Sequence, residues 1–167
     1  MTRDRHRSAV IEFPSDLEIL ITRQFEAPIA LVFDVLTKTE HVRHTIAPFG
    51  EEVKECSFDP RVGGDYQYVF VSDDRRDMSF HGTFLEVDPP THIVDTWLYD
   101  GWPGVEAIET IDLHEVDGVT TVKWRLTFRD KAGRDHMTKF DGIEANFDNV
   151  EDYLKSLLNP KAAVSQA

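Results

Sequence analysis

Between Arg134 and Leu158 the apolar residues Met137, Phe140, Ile143, Phe147, Val150, Leu154 and Leu157 recur at steps of 3, 3, 4, 3, 4 and 3. That is the period of one buried helix face. Lys139, Asp141, Glu144, Asp148, Glu151 and Asp152 fall between them and assign the opposite face to water. The spacing predicts a single helix of about 24 residues, roughly 36 Å long at 1.5 Å per residue. Upstream the period is mostly two. Leu17, Ile19, Ile21 and Phe25 share a side, with Arg23 interrupting them. Tyr66, Tyr68 and Phe70 alternate in the same way, as do Val122, Trp124, Leu126 and Phe128, so each run reads as a strand with one buried face.

Turn chemistry divides the strands. Ala27-Pro28 stops the first one, and Pro28 suits the first turn of a helix carrying Ile29, Val32, Phe33 and Leu36, where its missing N–H has no partner to lose. Thr39 can cap a second short helix, which ends by Pro48. Strands follow at about 53–58, 65–71, 80–87, 93–99, 106–116 and 119–128, with 72–77 reading as an exposed loop. Asp88-Pro89-Pro90-Thr91 forbids strand continuation, and Asp117-Gly118 is a two-residue hairpin signal. The order strand, two helices, six strands, long helix gives an α+β helix-grip architecture, a curved antiparallel sheet closed by the C-terminal helix. The expected boundaries are a polar N-terminal arm over 1–16, one domain over 17–158 and a tail over 159–167.

Composition narrows the function. With 41% hydrophobic residues in 167, the chain has the material for one sizeable core. No apolar run reaches the length of a membrane span, and MTRDRHRS lacks the apolar core of a signal peptide, so a cytoplasmic protein without membrane insertion is expected. Against 18 Lys and Arg stand 31 Asp and Glu, a net charge of −13, which repels nucleic acid. Cys56 is the only cysteine, so no intramolecular disulfide forms, and a packed thiol is the expectation. His41 and His44 lie three apart beside Glu40, but without a third ligand at diagnostic spacing they read as a solvated helix rather than a metal site. No cofactor is expected: Gly63-Gly64 lacks the Lys-Ser or Lys-Thr pair of a phosphate loop.

Several phrases carry a resemblance. Arg23-Gln24-Phe25-Glu26-Ala27-Pro28 followed by Val32-Phe33 is similar to the opening of the START-like (SRPBCC) superfamily. Phe58-Asp59-Pro60-Arg61-Val62-Gly63-Gly64, the run from His81 to Pro90 and the run from Glu115 to Thr120 resemble its group named after the activator of the ninety-kilodalton heat-shock protein ATPase. The resemblance covers about 17–158 and implies the helix-grip fold with a deep, largely apolar cavity between sheet and long helix. Two positions depart from it. Thr45-Ile46 stands where many relatives place a Trp-Trp pair, and Asn146-Phe147 where they have Gly-Trp.

The candidate site follows from alternation. Tyr66, Tyr68, Phe70, Phe84, Trp97, Trp124, Phe140 and Phe147 form an expected aromatic wall, either a dry core or the lining of a ligand cavity. If Ile93 and Trp97 point inward, so does Asp95, and a buried carboxylate needs a partner. His81, Arg125 or a tyrosine hydroxyl could serve, and Asp95 and His81 become the polar determinants, holding either an internal pair or a ligand's polar end. Three functions remain open at this level: a binding module for a small hydrophobic or amphipathic molecule, a cyclase or hydrolase of aromatic or polyketide-like substrates, and a protein-interaction domain of co-chaperone type. The binding module is the preferred reading, and pairing of exposed edge strands would make a homodimer.

Overall fold

The computed structural model describes residues 9–101, 105–139 and 142–160. Eight strands form one antiparallel sheet: β1 (Val10–Glu12), β2 (Glu18–Phe25), β3 (Val53–Phe58), β4 (Asp65–Val71), β5 (Asp77–Asp88), β6 (His92–Tyr99), β7 (Glu106–Val116) and β8 (Val119–Phe128). Their order across the sheet is β1-β2-β8-β7-β6-β5-β4-β3, so β2 pairs with the last strand and the two small helices carry the chain from β2 to β3 at the opposite edge. The short apolar run in the N-terminal arm pairs with β2 as edge strand β1, Val10 opposite Thr22. β7 and β8 meet in the hairpin that Asp117-Gly118 dictates, both residues at positive φ (51° and 79°), the geometry of the turns that match strand twist.

Helix α1 (Ile29–Thr37) has Pro28 as its N-cap. Pro28 brings no capping side chain, and the carboxylate of Glu115 reaches over from β7 to accept from the Ile29 N–H at 2.6 Å, meeting one of the donors a helix start leaves open. Helix α2 (Thr39–Val42) follows directly. Thr39 does not cap it: its hydroxyl accepts from the Phe58 N–H at 2.9 Å and donates to the Phe58 carbonyl at 3.2 Å, tying the helix to edge strand β3.

The single long C-terminal helix is corrected to two, α3 (Lys131–Thr138) and α4 (Gly142–Leu158). Asp130 caps α3 by accepting from the Gly133 N–H at 2.7 Å. Gly133 and Gly142 both weaken helix continuity, while the apolar period runs on across the break because both helices bury residues against the same core, Met137 from the first and Phe147, Val150 and Leu154 from the second. Leu157 is half-exposed, so the buried stripe ends a turn earlier than the spacing implies. Phe140 lies outside the described residues. No helix among the described residues is long and apolar enough to cross a membrane.

The core lies between the concave face of the sheet and α4. Ile19, Ile21, Phe25, Val122, Leu126 and Phe128 are all nearly inaccessible. Arg23 shares their side of β2 and is 1% exposed; its guanidinium donates to Asp148 at 2.7 Å and to Glu151 at 3.1 Å on α4 and lies 5.4 Å from the Phe25 ring centroid. The residue that interrupts the apolar alternation is therefore the ionic tie between β2 and α4. Asn149 completes the attachment by donating to the Ala47 and Pro48 carbonyls at 2.9 and 3.0 Å.

Candidate functional site: an aromatic hollow with a buried carboxyl pair

Strand alternation builds the wall. Tyr66, Tyr68 and Phe70 of β4, Phe80 and Phe84 of β5, and Trp97 of β6 are buried on the concave face. Tyr68 stacks on Phe80 at 5.0 Å and Phe80 on Trp97 at 5.2 Å. From the helix side Phe147 meets Trp124 edge-on at 5.4 Å. Offset and edge-on pairs of this kind favour ordered rings over a fluid filling.

Between these rings and α4 the side chains do not close up. An inner chamber of about 80 Å³ is lined by Tyr66, Tyr68, Trp97, Glu109, Trp124, Asn146 and Phe147 among others. An outer hollow of about 360 Å³ is lined by Phe49, Phe70, Met78, Phe80, Met137 and Ile143. Ile46, Tyr68, Trp97, Trp124 and Asn146 border both, so the two adjoin. The outer hollow reaches the surface at Phe49, which is 46% exposed, and its rim carries Glu51, Asp73, Asp74 and Arg76.

The polar centre is a pair that alternation half reveals. Asp95 points inward, 2% exposed, and directly opposite on β7 stands Glu109, 9% exposed. Facing residues on antiparallel strands hold their Cβ atoms about 5 Å apart, which puts the two carboxyls close enough to act on each other's protons. Burial pushes both pKa values up, and for Asp95 the charge of Glu109 pushes further; like charges this close cannot both ionise, so the pair keeps a proton well above the ordinary carboxylate range. The Tyr66 hydroxyl lies 2.7 Å from the Thr96 carbonyl and 3.2 Å from Asp95 Oδ1. Its single proton serves the shorter contact, which leaves the phenol oxygen able to accept from a protonated Asp95. Gly82 makes this reach feasible, because a Cβ there would stand 1.8 Å from the Thr96 carbonyl oxygen and 2.7 Å from the Tyr66 ring.

Two further polar atoms face the chambers. Trp124 Nε1 and Asn146 Oδ1 are buried and have no hydrogen-bond partner among the described residues. The indole N–H is near enough to Glu109 to oppose the rise of its pKa without forming a full hydrogen bond. Buried polar atoms are nearly always satisfied, by protein or by water, so whatever occupies the chambers meets an open donor and an open acceptor.

The predicted residues divide accordingly. Tyr66, Tyr68, Trp97, Trp124 and Phe147 line the inner chamber, and Phe70 the outer hollow. Phe84 is buried against Phe58 and Tyr66 and lines neither. His81 is corrected: with Phe80, Gly82 and Phe84 inward, it projects from the outer face, 46% exposed, 3.1 Å from Asp100. Arg125 also faces outward, bound to Glu18, and is not the partner of Asp95. Glu109 and Asn146 are the residues that sequence reasoning missed as polar determinants. Glu109 had a signal, since it shares parity with the apolar Ala107, Ile111 and Leu113 that flank it on that side of the strand. His41 and His44 pack against Tyr153, the first at 2.8 Å from its hydroxyl and the second stacked at 5.1 Å. Cys56 is partly buried on β3, and burial pushes its thiol up.

Comparison with solved structures places this geometry in a known setting. A Rhodobacter sphaeroides protein superposes with a TM-score of 0.81 at 22% identity, covering 89% of this chain and 99% of its own. Protein Ms6760 from Mycobacterium smegmatis gives 0.77 at 16% identity, over 90% and 96%. A Staphylococcus epidermidis protein gives 0.71 at 28% identity, over 91% and 94%. A comparison with curated proteins finds no match. The family model described as "Activator of Hsp90 ATPase homolog 1-like protein" matches residues 26–155, and with the helix-grip fold in place the chain belongs to that family.

Proposed function

We propose that this protein is a binding module for a small hydrophobic or amphipathic molecule, held in the paired chambers between the sheet and α4. The observation that carries this reading is the coincidence of an aromatic hollow with unpaired buried polar atoms. A core meant to stay dry gains nothing from an open space of about 360 Å³, which falls within the roughly 300–1,000 Å³ of small-molecule sites. Unfilled apolar volume destabilises a fold, and so do the unsatisfied Trp124 Nε1 and Asn146 Oδ1. A bound molecule relieves both. The family's helix-grip fold is consistent with this role.

The departures from the family pattern suit it as well. Ile46 borders both chambers where many relatives carry a large ring, so the passage between them is wider, and Asn146 puts an amide at the same boundary. Native mass spectrometry of protein purified from cells is the test. The reading expects a mass excess that disappears on denaturation and is recovered as a small organic molecule. Bare protein that also shows no thermal stabilisation by any member of a panel of apolar amines, phenols and fatty acids overturns it.

A further inference from the structure

We infer that the hollow selects molecules whose apolar body ends in a protonated amine, the ammonium sitting in the inner chamber between Glu109 and Oδ1 of Asn146. This rests on the ligand-binding reading and adds the chemistry of the head group. The inner chamber has a surplus of acceptors. Two facing carboxyls supply four oxygens, and Asn146 Oδ1 adds a fifth that no described residue satisfies. The donors are fewer: the Tyr66 proton goes to the Thr96 carbonyl, and the Trp97 N–H points to the Tyr68 hydroxyl at 3.4 Å. Trp124 Nε1 is a fully buried donor without a partner among the described residues, and it stands beside Glu109. An ammonium brings three donors and no acceptor, which matches that imbalance; a hydroxyl brings one donor, and a carboxylate brings none.

Charge points the same way. No guanidinium, ammonium or imidazole is among the groups acting on either carboxyl. The elements packed over the pair offer Tyr66 and Tyr68 from β4, Trp124 from β8, Val35, Asn146 and Phe147 from the helices, and Thr45 from the turn after α2, none of them cationic. When the pair carries one negative charge, that charge has no internal counter-ion. A ligand cation neutralises it, and the faces of Trp97 and Trp124 supply the ring surface that attracts a desolvated cation. The rim sets three carboxylates, Glu51, Asp73 and Asp74, against one Arg76, itself paired with Asp74 at 2.6 Å. The whole chain carries −13, so its field concentrates cations and excludes anions.

Titration calorimetry with phenylbutylamine, phenylbutanol and phenylbutyrate holds the apolar body constant and changes only the head. The inference expects the amine to bind about tenfold or more tighter than the alcohol, equivalent to about 1.4 kcal/mol, with the acid weakest. Amine affinity should rise from mildly acidic to mildly alkaline pH as the pair gives up one of its two protons and takes on a single charge, and alcohol affinity should stay level. Glu109→Gln should remove the amine preference while alcohol binding persists. Asn146→Leu, which leaves the carboxyl pair intact, should reduce it, so the inference can be judged if the first variant fails to fold. If the alcohol or the acid binds as tightly as the amine, or both variants keep the preference, the head-group inference falls and the ligand-binding reading stands. If none of the three binds the wild type, both fall.

Discussion

Arg23 offers the clearest stability test, because the two sides of its ion pair differ in access to water. Its side chain is wholly buried, whereas Asp148 and Glu151 retain 14% and 23% exposure. Replacing Arg23 by Met leaves the carboxylates able to rehydrate and fills the space with a chain of similar length. Replacing a buried ionic group by a well-packed apolar one is commonly near neutral, so the expected change is within about 1 kcal/mol. The converse double variant, Asp148→Asn with Glu151→Gln, strands a cation with no exposure, and losing the partners of a buried charge costs about 3–5 kcal/mol. The Phe25 ring below the guanidinium is there in wild type and double variant alike, so it does not change the difference, and the expected cost stays at about 3–5 kcal/mol. Equilibrium urea unfolding of the three proteins at one pH, with the slope checked for two-state behaviour, reads both numbers. If Arg23→Met proves more damaging than the double variant, the ion pair is a net source of stability and the reasoning is wrong.

The carboxyl pair makes the opposite kind of prediction. Both pKa values are raised by burial, so the folded state holds protons that the unfolded chain has released. Stability from this source is complete below the ordinary carboxylate range and is lost as pH rises through the folded values. Glu109→Gln should therefore raise the melting temperature at neutral and mildly alkaline pH and flatten its decline, and a variant as pH-dependent as the wild type would contradict this. Phe147→Ala removes a ring that is 3% exposed and edge-on to Trp124, and unfolding should show a loss of about 3–5 kcal/mol. Gly82→Ala drives a methyl into the Thr96 carbonyl and should cost about 3 kcal/mol, with Tyr66 displaced from Asp95 in its crystal structure. His81→Ala, on the outer face, should leave ligand binding unchanged by calorimetry.

Much of the fold follows from period and turn chemistry, and its misses share a cause. Alternation places Tyr66, Tyr68, Trp97 and Asp95 inward because each belongs to a regular strand with one buried face. The same rule excludes His81 once Phe84 is placed, since the two have opposite parity on β5. Glu109 opposes Asp95 only through the β6–β7 register. A two-residue turn fixes β7 against β8, whereas the longer connection from Tyr99 to Glu106 fixes no register from sequence, so the carboxyl pair is a tertiary fact. The break between α3 and α4 is invisible to a period count because both helices face the same core. Arg23 reads as an interruption in one strand, and its partners lie 125 and 128 residues away.

The central claim, that the paired chambers hold a small apolar molecule, is tested most directly by titrating the wild type and Ile46→Trp with the neutral solvatochromic dye Nile red. Ile46 borders both chambers, so an indole there narrows the passage while leaving the buried sheet residues untouched. The wild type should show one saturable, blue-shifted site, displaced by phenylbutylamine, and Ile46→Trp should lose it with cooperative unfolding retained. Equal dye binding by the two folded proteins, or none by the wild type, contradicts it.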